Sequence, residues 1–203
     1  MNHRIILNAY RSILLPNNYY KGSHAVITGG GTGLGSHLAF TYSSLGAKVS
    51  IIGRREEKLK ETKERIEKIT KNNVDYFSLD IRDNDEVKKV AENMEMNNDL
   101  PDIIVNNAAG NILSPVINLS SNAWNSIIDI VLKGTINTTM EFGKKIISNN
   151  KPASIVNIST TYANTGSSFV IPSSVAKAGC DNLTKSLAGE WGMYGIRINS
   201  IAP

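Results

Sequence analysis

The sequence holds a single cysteine, Cys180, among its 203 residues. One thiol builds neither a disulfide framework nor a thiolate metal cluster. Cys180 sits in a helical stretch of small residues, which suits a packed thiol rather than a reactive one. No metal site is expected. Acids are missing from the first part of the chain. No Asp or Glu precedes Glu56, while Arg4, Arg11, Lys21, Lys48, Arg54 and Arg55 do. These six cations, against a whole-chain net charge of +4, leave the remainder at −2. For Lys21 and Lys48, chance placement of surface charge is sufficient. The excess is too sparse for a nucleic-acid duplex and better matched to a small anionic ligand. No apolar run is long enough to span a bilayer.

What is present is an ordinary globular composition, with 41% hydrophobic and 20% charged residues. That is enough for one domain with a real core. Short apolar strands alternate with helices throughout. Strands are expected at His24–Thr28, Lys48–Ile52, Tyr76–Ile81, Ile103–Asn106, Ser154–Ser159 and from Arg197 to Ile201. Helices are expected at about Gly35–Ser44, Glu56–Thr70, Asn84–Met96, Ser121–Ser148 and Ser173–Tyr194, with Leu59, Ile66 and Ile69 as the buried stripe of the second. This pattern predicts an α/β fold: a doubly wound, Rossmann-type parallel sheet with helices on both faces. The domain runs over 21–203. Residues 1–20 form an arm. Arg4, Asn8 and Arg11 share one helical face there, and Ile6, Tyr10 and Ile13 another. A mitochondrial transit peptide and an ordinary N-terminal arm both fit this pattern.

After the first strand comes Thr28-Gly29-Gly30-Gly31-Thr32-Gly33-Leu34-Gly35. Gly29 permits a tight turn, Gly33 a close approach to a pyrophosphate, and Gly35 close packing of helix on sheet. The helix N-terminus then offers free N–H groups to phosphates. The second strand ends in Gly53-Arg54-Arg55, with no carboxylate for a ribose 2′-hydroxyl. Two guanidiniums are there instead, suited to a 2′-phosphate, so NADP(H) is the expected cofactor. Solvated surface arginines are the competing reading, on even terms for Arg55.

The spacing Thr-Gly-x-x-x-Gly-x-Gly resembles the short-chain dehydrogenase/reductase family, and the resemblance continues through Asn106-Asn107-Ala108-Ala109-Gly110 to Pro203. It implies cofactor contacts from Gly29, Gly30, Gly31, Thr32, Gly33, Leu34, Arg54, Asp80, Lys177 and Pro203, with Asp80 meeting the adenine. Typical members reduce carbonyls with an Asn-Ser-Tyr-Lys set. Here the lysine is Lys177, but the tyrosine position is Ser173, the serine position Thr160 and the asparagine position Val131. An alkyl hydroxyl is far less acidic than a phenol, so Ser173 cannot act as that acid. Tyr162, just beyond the fifth strand, and Asn111, following the fourth, are two neutral donors able to converge on one carbonyl oxygen.

NNAAGNILSP (Asn106–Pro115), NAWNSIIDIVLKGT (Asn122–Thr135), TTYANTGSSFVIPSSVAKAG (Thr160–Gly179) and KSLAGEWGMYGIRINSIAP (Lys185–Pro203) resemble the 2,4-dienoyl-CoA reductases of the mitochondrial type. Peroxisomal relatives lack a tyrosine at the position of Tyr162, so its presence favours the mitochondrial form, with peroxisomal placement as the alternative. The resemblance implies NADPH-dependent reduction of trans-2,4-dienoyl-CoA to trans-3-enoyl-CoA in β-oxidation of unsaturated fatty acids. Tyr162, Asn111, Lys177 and Ser173 would be catalytic. Arg82, Asn111 and Ser120 would touch a fatty acyl-CoA, although surface arginine and helix N-cap serve Arg82 and Ser120 equally well. The resemblance also implies a homotetramer, a seventh strand and a substrate lid beyond Pro203, so the sequence reads as part of a longer protein, with a natural short form as the alternative. A 3-oxoacyl thioester carbonyl reductase and a catalytically silent subunit are the competing functions. Ser173 and Val131 oppose the first; Tyr162, Asn111 and Lys177 oppose the second.

Overall fold

The computed structural model describes residues 15, 16 and 18–203. The expected transit-peptide faces fall on residues 1–14, outside the described residues. Six parallel strands form one sheet in the order β3-β2-β1-β4-β5-β6. They are β1 (His24–Thr28), β2 (Lys48–Gly53), β3 (Val74–Ser78), β4 (Ile103–Asn106), β5 (Ala153–Ile158) and β6 (Ile196–Ile201). Parallel neighbours need long crossovers, and helices supply them. These are α1 (Gly33–Ser44), α2 (Glu56–Thr70), α3 (Asn84–Met96), α4 (Ser121–Ile128), α5 (Gly134–Ser148), α6 (Tyr162–Thr165) and α7 (Ile171–Trp191).

The period of two along each strand divides the core. Ala25, Ile27, Val49, Ile51, Ile103 and Val105 face α1 and α2, meeting Ala39, Phe40, Leu59 and Ile66. Val26, Ile104, Ile155 and Ile198 face the opposite way, meeting Val87 and Met94 of α3, Phe142 and Ile146 of α5, and Trp191 of α7. Each such fully buried side chain is worth roughly 1.5–3 kcal/mol. Ile69 is half-buried, and Thr62 takes its place in the buried stripe of α2. Helix ends follow local chemistry. The Asp83 carboxylate accepts the N–H groups of Asp85 and Glu86 at the start of α3, at 2.9 and 3.2 Å. Helices α5 and α7 touch at Gly143, where an added Cβ would lie 2.3 Å from the Trp191 ring.

Three expectations need correction. The third strand is Val74–Ser78, not Tyr76–Ile81. Leu79 makes the last ladder bond, to the Gly53 carbonyl at 3.0 Å, and the chain then turns inward. Leu79 and Ile81 are apolar because they roof the core, not because they pair, so Asp80 lies beyond the strand. The long helix expected over 121–148 is broken by a π-turn at Asp129–Lys133. Inside it the Val131 carbonyl accepts from the Thr135 hydroxyl at 2.7 Å and the Cys180 thiol at 3.3 Å. The last helix starts at Ile171, with Pro172 in its first turn, and ends at Trp191 before a 3₁₀ turn. Helices cover both faces of the β3–β4 half. On β5 and β6, the face away from α5 and α7 carries the half-buried or exposed Ser154, Val156, Arg197 and Asn199. Strand order reverses between β1 and β4. That opens a crevice at the C-terminal strand ends, where open α/β sheets place their ligands.

Candidate active site

A first cavity lies over the ends of β1, β2 and β3. Gly31 and Thr32 form one wall, Arg54, Arg55 and Lys58 a second, and Asp80 with Asn107 a third. The loop between β1 and α1 is shaped by contacts only glycine permits. Gly29 has φ +66°, and a Cβ there would lie 2.9 Å from the Ala108 Cα. A Cβ on Gly35 would lie 2.3 Å from the Gly29 carbonyl oxygen. A Cβ on Gly30 would lie 2.6 Å from the Ile51 Cβ of β2, so glycine is required there for packing. Gly33 opens α1, and a Cβ there would meet no atom within 4 Å. The Thr28 hydroxyl accepts the N–H groups of Asn107 and Ala108, both at 3.0 Å, and the Asn107 amide donates to the Thr28 carbonyl at 3.0 Å. The end of β4 thereby holds the loop in place.

The basic wall is partly engaged. Arg55 donates to the Thr32 hydroxyl at 3.3 Å. Arg54 stands 3.9 Å from Asp80. Arg82 grips Asp80 through Nε and Nη2, at 2.6 to 3.0 Å. Burial pushes the Asp80 carboxyl up, but the hydrogen bonds and charge of Arg82, with Arg54 adding to them, hold it below the usual carboxylate range. The open N-terminus of α1, the glycine cradle and the cations at the end of β2 fit a dinucleotide. Leu34 and Pro203, also expected at the cofactor, are exposed.

A second cavity adjoins the first and shares Asn107 and Ala109 with it. Asn111, Tyr162, Ser173 and Lys177 all line it, so the structure brings the four expected catalytic residues together. Tyr162 opens the single-turn α6, which Ser174 ties to α7 by donating to the Tyr162 carbonyl at 2.7 Å. The Tyr162 and Ser173 hydroxyls share a hydrogen bond at 3.3 Å. Ser173 and Lys177 are one helical turn apart on α7 and both are buried. The Lys177 ammonium donates to the Ile158 carbonyl. Burial lowers its pKa, with Cys180 and Asp181 pulling the other way. Asn111 accepts the Ile112 N–H on Oδ1 at 3.0 Å, which leaves its Nδ2 donors for a ligand.

The remaining expected contacts are elsewhere. Ser120 is the N-cap of α4, accepting the Ala123 N–H at 3.1 Å. Val131, at the family's asparagine position, is fully buried. Lys58 and Ser159 line the cavities without having been singled out by sequence, and Asn107 stands in the Asn106–Gly110 motif with no role assigned to it there. Ser159 has a buried hydroxyl oxygen with no hydrogen-bond partner among the described residues.

A family model described as short chain dehydrogenase matches residues 23–203. A Caenorhabditis elegans protein named "probable 2,4-dienoyl-CoA reductase, (3E)-enoyl-CoA-producing" is 46% identical over 95% of this chain and 63% of its own length. A short chain dehydrogenase of known structure from Bacillus anthracis is 42% identical with a TM-score of 0.86, covering 90% of this chain and 74% of that one. Carveol dehydrogenase from Mycobacterium avium, solved in complex with NAD, is 25% identical with a TM-score of 0.84, covering 90% and 70%. The chain spans 62–63% of the length of the C. elegans relatives it matches. Glycine loop, sheet order and family match agree: the chain belongs to the short-chain dehydrogenase family.

Proposed function

We propose that this chain is the nucleotide-binding and catalytic part of an NADPH-dependent 2,4-dienoyl-CoA reductase. It would serve β-oxidation of unsaturated fatty acids in mitochondria. The observation that carries the reading is the hydrogen-bonded Tyr162–Ser173 pair, which lines one cavity with Lys177 and Asn111. The similarity to a relative named for this activity supports it.

A nicotinamide cofactor, when bound, supplies hydride for the δ carbon of the dienoyl thioester. The added charge spreads through the conjugated system to the thioester oxygen. Tyr162 and Asn111 supply neutral donors to that oxygen, so the work of the site is oxyanion stabilisation. Ser173 holds the Tyr162 hydroxyl. A proton taken from solvent at the α carbon would then give the trans-3-enoyl product. Lys177, fixed on the Ile158 carbonyl, would hold the nicotinamide ribose. Arg54 and Arg55 would take the 2′-phosphate, which selects NADPH. Three exposed apolar side chains would offer an acyl chain a surface. Leu113, Ile117 and Phe169 are 80, 89 and 52% exposed, and the Ser114 N–H joins their two loops at the Phe169 carbonyl, at 2.9 Å.

Loss of NADPH absorbance with a 2,4-dienoyl-CoA, compared with a 3-oxoacyl-CoA, tests the activity. Turnover of the dienoyl substrate is expected. Tyr162→Phe should lower kcat by about 10²–10³ with thermal stability unchanged. Turnover of the 3-oxoacyl substrate alone would overturn the proposal.

A further inference from the structure

We propose that Lys58 is a third cation of the 2′-phosphate site, held on Glu61 in the free protein and released to the phosphate on binding. This rests on the NADPH reading above.

Lys58 stands in the first turn of α2, directly after Glu56 and Glu57. Acids suit the positive end of a helix dipole; a lysine there does not. Its placement therefore asks for another reason. The Lys58 Cβ lies 3.3 Å from where a Gly31 Cβ would be, so its side chain starts directly against the glycine loop. The Thr62 hydroxyl donates to the Gly31 carbonyl at 2.9 Å and fixes α2 against that loop. Lys58 lines the first cavity together with Arg54 and Arg55. The one acid lining that cavity, Asp80, is already gripped by Arg82. The Lys58 ammonium is paired with Glu61 at 2.8 and 3.0 Å. Both partners are open to water, with side chains 44 and 62% exposed. Such exposed pairs are weak, and a phosphate dianion offers the ammonium a stronger partner.

Calorimetric titration with adenosine 2′,5′-bisphosphate and with 5′-AMP isolates the 2′-phosphate from the rest of the cofactor and needs no turnover. Lys58→Met keeps an unbranched side chain of similar length and removes the charge. It should weaken the bisphosphate about fivefold and leave 5′-AMP unchanged. Glu61→Gln frees Lys58 and should tighten the bisphosphate alone. Equal weakening of both ligands by Lys58→Met, or no weakening, overturns the proposal. Arg54→Ala separates the two levels of the argument. If it discriminates between the ligands and Lys58→Met does not, only the role of Lys58 fails. If Arg54→Ala does not discriminate, the 2′-phosphate reading fails and the role of Lys58 with it.

Discussion

Arg54 is held by one 3.9 Å approach to Asp80, so its guanidinium is available to a ligand. Arg54→Ala should weaken NADPH binding about tenfold and NADH little, because only NADPH presents a 2′-phosphate. Equal weakening in a fluorescence titration would remove that role. His24 offers a different test. Its ring is buried between the Asp99 carbonyl and the Ser50 hydroxyl, both at 2.8 Å. Burial lowers its pKa from the ordinary 6.5, against the pull of Asp99 and with Lys48 assisting. The folded state therefore resists protonation that the unfolded chain accepts. Stability is full above about pH 6.5 and falls as pH drops below it. A melting temperature that stays flat between pH 7.5 and 5.5 would contradict this; His24→Gln should flatten it. The residues that line the second cavity were legible because each sits in a patterned place. Ser173 and Lys177 have one-turn spacing, and Tyr162 and Asn111 follow strand ends. Lys58 and Ser159 were not, since a lysine on a charged helix and a small hydroxyl carry no periodicity of their own.

Helix and strand positions were readable wherever one face is apolar and one polar. The bounds of α2 and α3 match expectation for that reason, while β4, buried on both faces, was readable as a short continuous apolar run. β3 did not match, because apolar residues at Leu79 and Ile81 continue its pattern after pairing has ended. The π-turn at Asp129–Lys133 was invisible because the buried positions Ile127, Val131 and Thr135 keep a four-residue spacing through it, as in an ordinary helix. The contact of α5 with α7 gives an element-level prediction. Alanine normally favours a helix interior over glycine by about 1 kcal/mol. At position 143 the Trp191 ring occupies the required space. Gly143→Ala should instead destabilise by about 1–3 kcal/mol. A denaturant midpoint at or above that of the parent protein would show that Trp191 moves aside freely.

The sheet as a whole was foreseeable, since alternating apolar strands and helices admit few other topologies. How the two cavities meet was not, because it depends on register between β1 and β4. Binding in a crevice between the two halves of the sheet should stabilise the entire domain. NADPH at a hundredfold excess over Kd should add about 2.7 kcal/mol to unfolding, read as a rise in melting temperature. NADH at the same concentration should raise it less. The wall shared through Asn107 and Ala109 has a further consequence. Whatever fills the first cavity would become part of the surface of the second, so the proposed thioester should bind after the nucleotide. Steady-state patterns should be those of a compulsory-order enzyme, with the oxidised nucleotide competitive against the reduced one and noncompetitive against the thioester.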